Sequence, residues 1–498
     1  MTNVRRIPAL VALVVVLAGV IIVDRAVRSD GPTGVTTPIA EPLLPPNVRD
    51  ARVTSSAWYC PGVPLGGKGY DGNDYGGRAI VANPTEAEVT GVVTRYVDGA
   101  QPLMSEITVP PRDKVTVDLA AGVDGQYVSA LIELTGVQGG GGAVVEQTAI
   151  FPAGESSQPC GSSPSNEWYF ADGFTASDSE EDLVLTNPLA DATVINVRFV
   201  TKDGERTPSP LQGYVLPAQS LTVIKIAEQG ARGEQLVGVE MRAQSGAFVA
   251  GRAQHYLGTG RLGFSMKLGS PATYSDWWVA TGDYTGKPSE QIDVFNPGDS
   301  DATVSVLFSG SADVKAAPLS LVVPAHRVIG ISMANVAGLA EGRFVVSLSV
   351  LQGGGIVVEH AVTRQLADNA ATSVDLGFPS LMASTRWRTA LAAEAGTERA
   401  FVVLNITGVD ATASIASIGP AGRIPVAGLD AITLPAGVAT YVSVPVGVDV
   451  PQVDISATQP VLVSRLIPRK KGVGGRDIVP ALPVVSSTQP RGNETGAE

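Results

Sequence analysis

Three histidines, His255, His326 and His360, and two cysteines, Cys60 and Cys160, are the residues best suited to chemistry. A metal site would need such groups to converge at ligand spacing, and neither cysteine sits in a CxxC or Cys/His pattern. In an exported chain a lone cysteine pair is more simply a disulfide. The histidines read as structural or solvent-exposed. The sequence holds no GxSxG elbow, no HExxH and no P-loop. Two acidic loops could offer oxygens to a divalent cation. Gly66 to Gly77 carries Asp71, Asn73 and Asp74, without EF-hand spacing or its terminal glutamate. Asp172 to Asp182 carries Asp178, Glu180, Glu181 and Asp182, and reads as a solvated charged loop. Arg465, Arg476 and the run Pro468 to Lys471 form a small basic patch, facing an anionic polymer or simply ending a strand. No catalytic, cofactor-binding or metal-ligating residue is assigned, and the expectation is a protein that is not an enzyme.

The elements around these residues read as β-structure. The chain has 498 residues, enough for several domains. Charged residues make up 17% and aromatics 5%, while 56 glycines and 35 prolines supply many turns. Abundant valine and threonine favour sheet over helix. A net charge of −13 argues against a nucleic-acid partner.

The N-terminus is different in kind. Ile7 to Val23 is an uninterrupted apolar run, at the short end of what spans a bilayer. Arg5 and Arg6 precede it, and no Ala-x-Ala-like cleavage site follows directly. Residues 1–28 therefore read as a cytoplasmic tip and uncleaved signal anchor, with the bulk of a single-pass protein outside the cell membrane. Secretion after signal cleavage is the alternative. Residues 29–54 read as a proline-rich linker, and 486–498 as a disordered tail.

Between them lies an internal period. Trp58, Trp168, Trp277 and Trp387 are spaced by 110, 109 and 110 residues, and the fifth tryptophan, Trp278, adjoins one of them. After each comes a polar loop and a strand ending in Asn-Pro: AIVANP, LVLTNP and IDVFNP, with FVVLNI in the last copy. Asp-Ala-Thr, or Glu88-Val89-Thr90 in the first copy, then leads an alternating strand, followed by a proline corner at Pro110, Pro217, Pro324 or Pro435. A Gln-Gly type turn closes each copy and reads as a hairpin. The expected fold is all-β: four tandem immunoglobulin-like sandwiches, 55–163, 164–273, 274–383 and 384–485, with a β-propeller as the alternative. The tryptophans are expected as buried anchors of each unit. Cys60 and Cys160 bracket the first unit.

The stretches WYFADGFT (Trp168 to Thr175), LVLTNP, DATVINVRF and VLPAQSLTV resemble a recurrent module of bacterial secreted and surface proteins. The whole arrangement is similar to an uncharacterised family of actinobacterial envelope proteins. That resemblance implies no activity and transfers no functional residue. The functional expectation is an extracytoplasmic scaffold or binding module, drawn as a rod of sandwiches, for a glycan or protein partner. The alternative is a cell-wall polysaccharide enzyme or its accessory subunit.

Overall fold

The alternation of residues 193–199 shows why these segments form strands. Ile195, Val197 and Phe199 are buried, while Val194, Asn196 and Arg198 on the opposite face are half-exposed. The computed structural model describes residues 45–49, 55–66, 75–136, 142–257, 260–310, 315–366, 370–390, 399–444, 452–469 and 474–485. Among them every regular element longer than four residues is a strand, and no helix is long and apolar enough to cross a membrane. The apolar run at 7–23, most of the proline-rich linker, residues 67–74, 138–141 and 470–471, and the tail lie outside the described residues.

Each tryptophan opens a pair of sheets facing each other over an apolar core, in β-sandwich fashion. In the first segment one sheet runs in the order Ser55–Pro64, Tyr127–Thr135, Val89–Val97, Leu103–Val109. The other runs Lys114–Asp118, Gly76–Ala82, Val144–Phe151, Gly154–Pro159. The second segment pairs Glu167–Gly173, Val237–Ser245 and Thr193–Thr201 in one sheet. Its other sheet has Ser220–Lys225, Glu180–Asn187, Val249–Tyr256 and Gly263–Leu268. The third repeats the plan around Asp276–Asp283 and Arg343–Gln352, facing Ser289–Asn296, Val357–Gln365 and Ala370–Leu376. In the fourth, the 17-residue strand Gln452–Pro468 runs through both layers and joins them into one ten-stranded sheet.

The Gln-Gly turns are not hairpins. Tyr127–Thr135 and Val144–Phe151, on either side of one, lie in different sheets, and so do Val237–Ser245 and Val249–Tyr256. The turn is a crossing between layers, because the two strands bury their apolar residues toward opposite sides of one core. The hairpins follow it: Val249–Tyr256 with Gly263–Leu268, and Val357–Gln365 with Ala370–Leu376.

The asparagine that ends each second strand ties three chain segments. Asn187 is fully buried; its Nδ2 donates to the carbonyls of Asp191, Leu216 and Pro217, and its Oδ1 accepts from Leu189 N. Asn83, Asn296 and Asn405 repeat the pattern. Asparagine is required because one side chain must both donate and accept.

The segments do not line up as a rod. The last strands Gly154–Pro159, Gly263–Leu268, Ala370–Leu376 and Arg476–Pro480 touch in turn, and the fourth returns to the first. Lys267 Nζ stands among them, donating to Ser157 O and Asp477 Oδ1 at 3.0 Å and to Ile478 O at 3.1 Å. The short strand Val48–Arg49 adds in parallel to Leu482–Val485 of the fourth segment.

Candidate functional site

The first strand of each of the first three segments carries a bulge just past its tryptophan, where the register shifts between Cys60 and Val63, Phe170 and Gly173, and Val279 and Gly282. A bulge turns backbone N–H groups out of the ladder. In the second segment those of Ala171 and Asp172 donate to Glu359 Oε2, which belongs to the third. Arg252 completes the site: its Nη1 lies 2.9 Å from Glu359 Oε2 and its Nη2 3.2 Å from Oε1. Both side chains are 1% exposed. The fourth segment meets the first in the same way: Arg465 donates to Glu146 Oε2 and Ala390 N to Glu146 Oε1. Two of the four junctions are therefore closed by a buried arginine–glutamate pair.

Register explains the equivalence. The indoles of Trp168, Trp277 and Trp387 donate to the carbonyls of Phe248, Ile356 and Val461. Four residues beyond each carbonyl stand Arg252, His360 and Arg465. All three are buried cations. His360 is fully buried between Glu290, 2.8 Å from Nε2, and Asp375, 3.1 Å from Nδ1. Burial lowers its proton affinity, but the hydrogen bonds to Asp375 and Glu290 outweigh that and raise its pKa to about 10.

More carboxyls gather at the junction of the second and third segments. Asp172 accepts from Arg261 Nη1 at 2.7 Å and from Tyr256 Oη at 3.3 Å. Asp293 is fully buried beside it; burial, then the Asp172 charge, hold its proton on well above the usual carboxylate range. Glu181 packs so closely on Gly173 that a Cβ there would come within 2.5 Å of its Oε2. Burial pushes the Glu181 pKa up to about 8, against the pull of Arg252.

Carboxyls with raised proton affinity suit acid–base chemistry, but burial and crowding of like charges in a structural network raise it as well. Asp172, Glu181, Asp293 and Glu359 are at most 1% exposed, so a substrate has no path to them as they stand. Asp172 and Glu359 do structural work, neutralising Arg261 and Arg252 between packed sheets. Among the described residues no group of three His, Cys, Asp or Glu could hold a metal ion.

The structure corrects two expectations about these residues. Glu181 and Asp182 are not part of a solvated loop: Glu180–Asn187 is a strand covered on both faces, and only Glu180 is exposed. Arg465 and Arg469 do not form a surface patch, since Arg465 pairs with Glu146 and Arg469 is buried 3.8 Å from Asp477. The histidines take separate structural places: His360 lies buried between Glu290 and Asp375, His255 packs against Phe151, and His326 bridges Arg198 and Asp299. The disulfide Cys60–Cys160 is formed. Trp58, Trp168, Trp277 and Trp387 are all buried, each at most 2% exposed.

The Glu181 shift has a measurable consequence. A carboxyl whose folded pKa is raised contributes its full stability below its unfolded pKa and loses it as pH rises through about 8. Between about pH 6 and pH 8 the protein should lose roughly 2 kcal/mol through this group. Glu181→Gln should flatten that part of the stability profile, read as urea midpoints across the pH series. A profile as steep as the parent's would show that Glu181 ionises normally.

A family of unknown function, DUF5719, matches residues 152–260, the end of the first segment and most of the second. No curated protein matches the chain. Among solved structures, the crystal structure of Thermotoga maritima 1070 is 10% identical with a TM-score of 0.19, covering 21% of this chain and 94% of that one. A tetra-tandem repeat from the extending region of a large adhesion protein is 12% identical with a TM-score of 0.11, covering 80% of this chain and 92% of that one.

Proposed function

We propose that the chain is a non-catalytic envelope protein, anchored through residues 7–23 with its bulk outside the cell. In this reading four copies of one immunoglobulin-like sandwich form a scaffold that presents variable loops to a glycan or protein partner. The observation that carries it is where the ionisable groups lie. Buried ion pairs join one segment to the next: Arg252 with Glu359, Arg465 with Glu146, Lys267 with Asp477. Such groups fix segments relative to one another, as a display scaffold requires. The disulfide supports an oxidising compartment.

The test is crosslinking on intact cells that carry the tagged chain, with recovered protein and polysaccharide identified by mass spectrometry. One envelope component should be enriched over an inside-facing control. Release of reducing ends from cell-wall polysaccharide by the purified protein would overturn the proposal in favour of an enzyme.

A further inference from the structure

The first tryptophan departs from the other three. Trp168, Trp277 and Trp387 each place their indole N–H on a backbone carbonyl, at 2.8, 3.0 and 3.0 Å. The residue three before each also pairs with that same acceptor residue: Ser165 with Phe248, Tyr274 with Ile356, Ser384 with Val461. Register identifies the counterpart in the first segment. Cys160 N bonds Val145 O as Gly269 N bonds Ala250 O and Gly377 N bonds Val358 O. The acceptor two residues earlier is therefore Ala143.

That closure is not made. Trp58 is 2% exposed, yet its Nε1 has no hydrogen-bond partner among the described residues. Ser55 pairs with Thr135 on the neighbouring strand. The chain beside Ala143 is engaged elsewhere: Gly142 N donates to Arg49 O at 2.8 Å, and Gly142 O accepts from Arg388 Nη1 at 3.0 Å. Where the other segments have a strand closure, this one has a half-open pocket of about 300 Å³, lined by Ser55, Ala57, Trp58, Glu133, Thr135 and Ala143 among others.

We infer that this pocket binds one neutral sugar unit, an inference that rests on the glycan reading above. An indole N–H only donates, so a buried one calls for an acceptor oxygen in the ligand. The Ser55 and Thr135 hydroxyls both donate and accept, and Glu133 accepts. Arg49, which also lines the pocket, donates. With one acid and one base the lining has no net charge, which favours a polyhydroxyl over a phosphate or an amine. The volume sits at the small end of ligand pockets, about the size of a single ring. Ala57 and Ala143 give the apolar contact that a sugar's C–H face needs. A ligand this small should bind in the millimolar range.

The test uses the full chain with 15N-labelled tryptophan, titrated with N-acetylglucosamine, galactose, mannose and arabinose. One indole N–H resonance, the one absent in Trp58→Phe, should shift saturably with at least one of these sugars. Thr135→Tyr, which fills the pocket from its exposed rim, should abolish the shift, and it identifies the resonance if Trp58→Phe does not fold. No shift with any of the four overturns the site. If Thr135→Tyr still captures envelope polysaccharide as the parent does, the pocket is wrong and the scaffold reading stands. If Trp58 responds while intact cells yield no partner, the pocket stands and the wider reading fails.

Discussion

Glu359→Gln should destabilise the protein by about 3–5 kcal/mol, the usual cost of removing one partner of a buried ion pair. Glu359 accepts four hydrogen bonds, two from Arg252 and two from the bulged backbone at Ala171 and Asp172. The isosteric amide keeps one acceptor oxygen but turns an NH2 group toward cationic or N–H donors. Arg252, fully buried and with its proton held more tightly by Glu359 and Glu181, then lacks its main counter-charge. Urea denaturation at neutral pH measures the loss. Replacing both partners, Arg252→Met with Glu359→Leu, should recover most of it, because no charge is then left unpaired. A loss below about 1 kcal/mol in Glu359→Gln, the scale of an exposed pair, would refute the buried junction.

The same variant should move a second group. Burial and the nearby charges of Asp172 and Glu359 hold the proton on Glu181, and Arg252 pulls the other way. Without the Glu359 charge, Glu181 becomes the nearest counter-ion for Arg252 and should ionise at lower pH. The stability loss on alkalinisation should then level off at lower pH, and be smaller in total, in Glu359→Gln than in the parent. An unchanged profile would mean that the two carboxyls do not share one arginine.

How much of this the sequence reveals depends on the range of the interaction. The tryptophan period, the Asn-Pro ends and the proline corners are local features, and each has its place in the structure. Asn187 satisfies its own turn through Leu189 N, a contact within reach of local sequence, but it also holds Pro217, which lies 30 residues on. The junction pairs were harder to read. AVVEQTAI and IVVEHAVTR each carry a glutamate in the middle of an apolar strand, and their counterparts AFVAGRAQHY and VLVSRLIPR carry an arginine one place later. A charge inside an otherwise buried strand is the available signal. Its partner, however, sits 107 residues away for Arg252 and 319 for Arg465, and no local pattern fixes such a pairing. The cyclic contact of the segments is hidden for the same reason: a period reports that units repeat, not how they touch. The crossing turns resemble hairpins in sequence because two apolar strands around glycine look alike whether they pair with each other or face each other across a core.

Cys60→Ser with Cys160→Ser should lower stability by about 4 kcal/mol relative to the oxidised protein, since the bridge closes a separation of 100 residues. The second segment shows what the bridge replaces. By register Cys160 matches Gly269, and two residues past the tryptophan Cys60 matches Phe170. There the aromatic ring lies so close that a Cβ on Gly269 would meet Phe170 Cζ at 2.8 Å. A large ring against a glycine fills in the second segment the space that two sulfurs fill in the first. The first segment needs the covalent link more, because Trp58 lacks the indole bond and Ser55 the strand closure that its counterparts have. Both cysteines are at most 2% exposed, so the folded protein should resist reductant until it opens. Reduction under partial denaturation should bring the parent's urea midpoint to that of the double serine variant. A parent and variant with equal midpoints under oxidising conditions would show that packing, and not the bridge, holds the first strand to its exit.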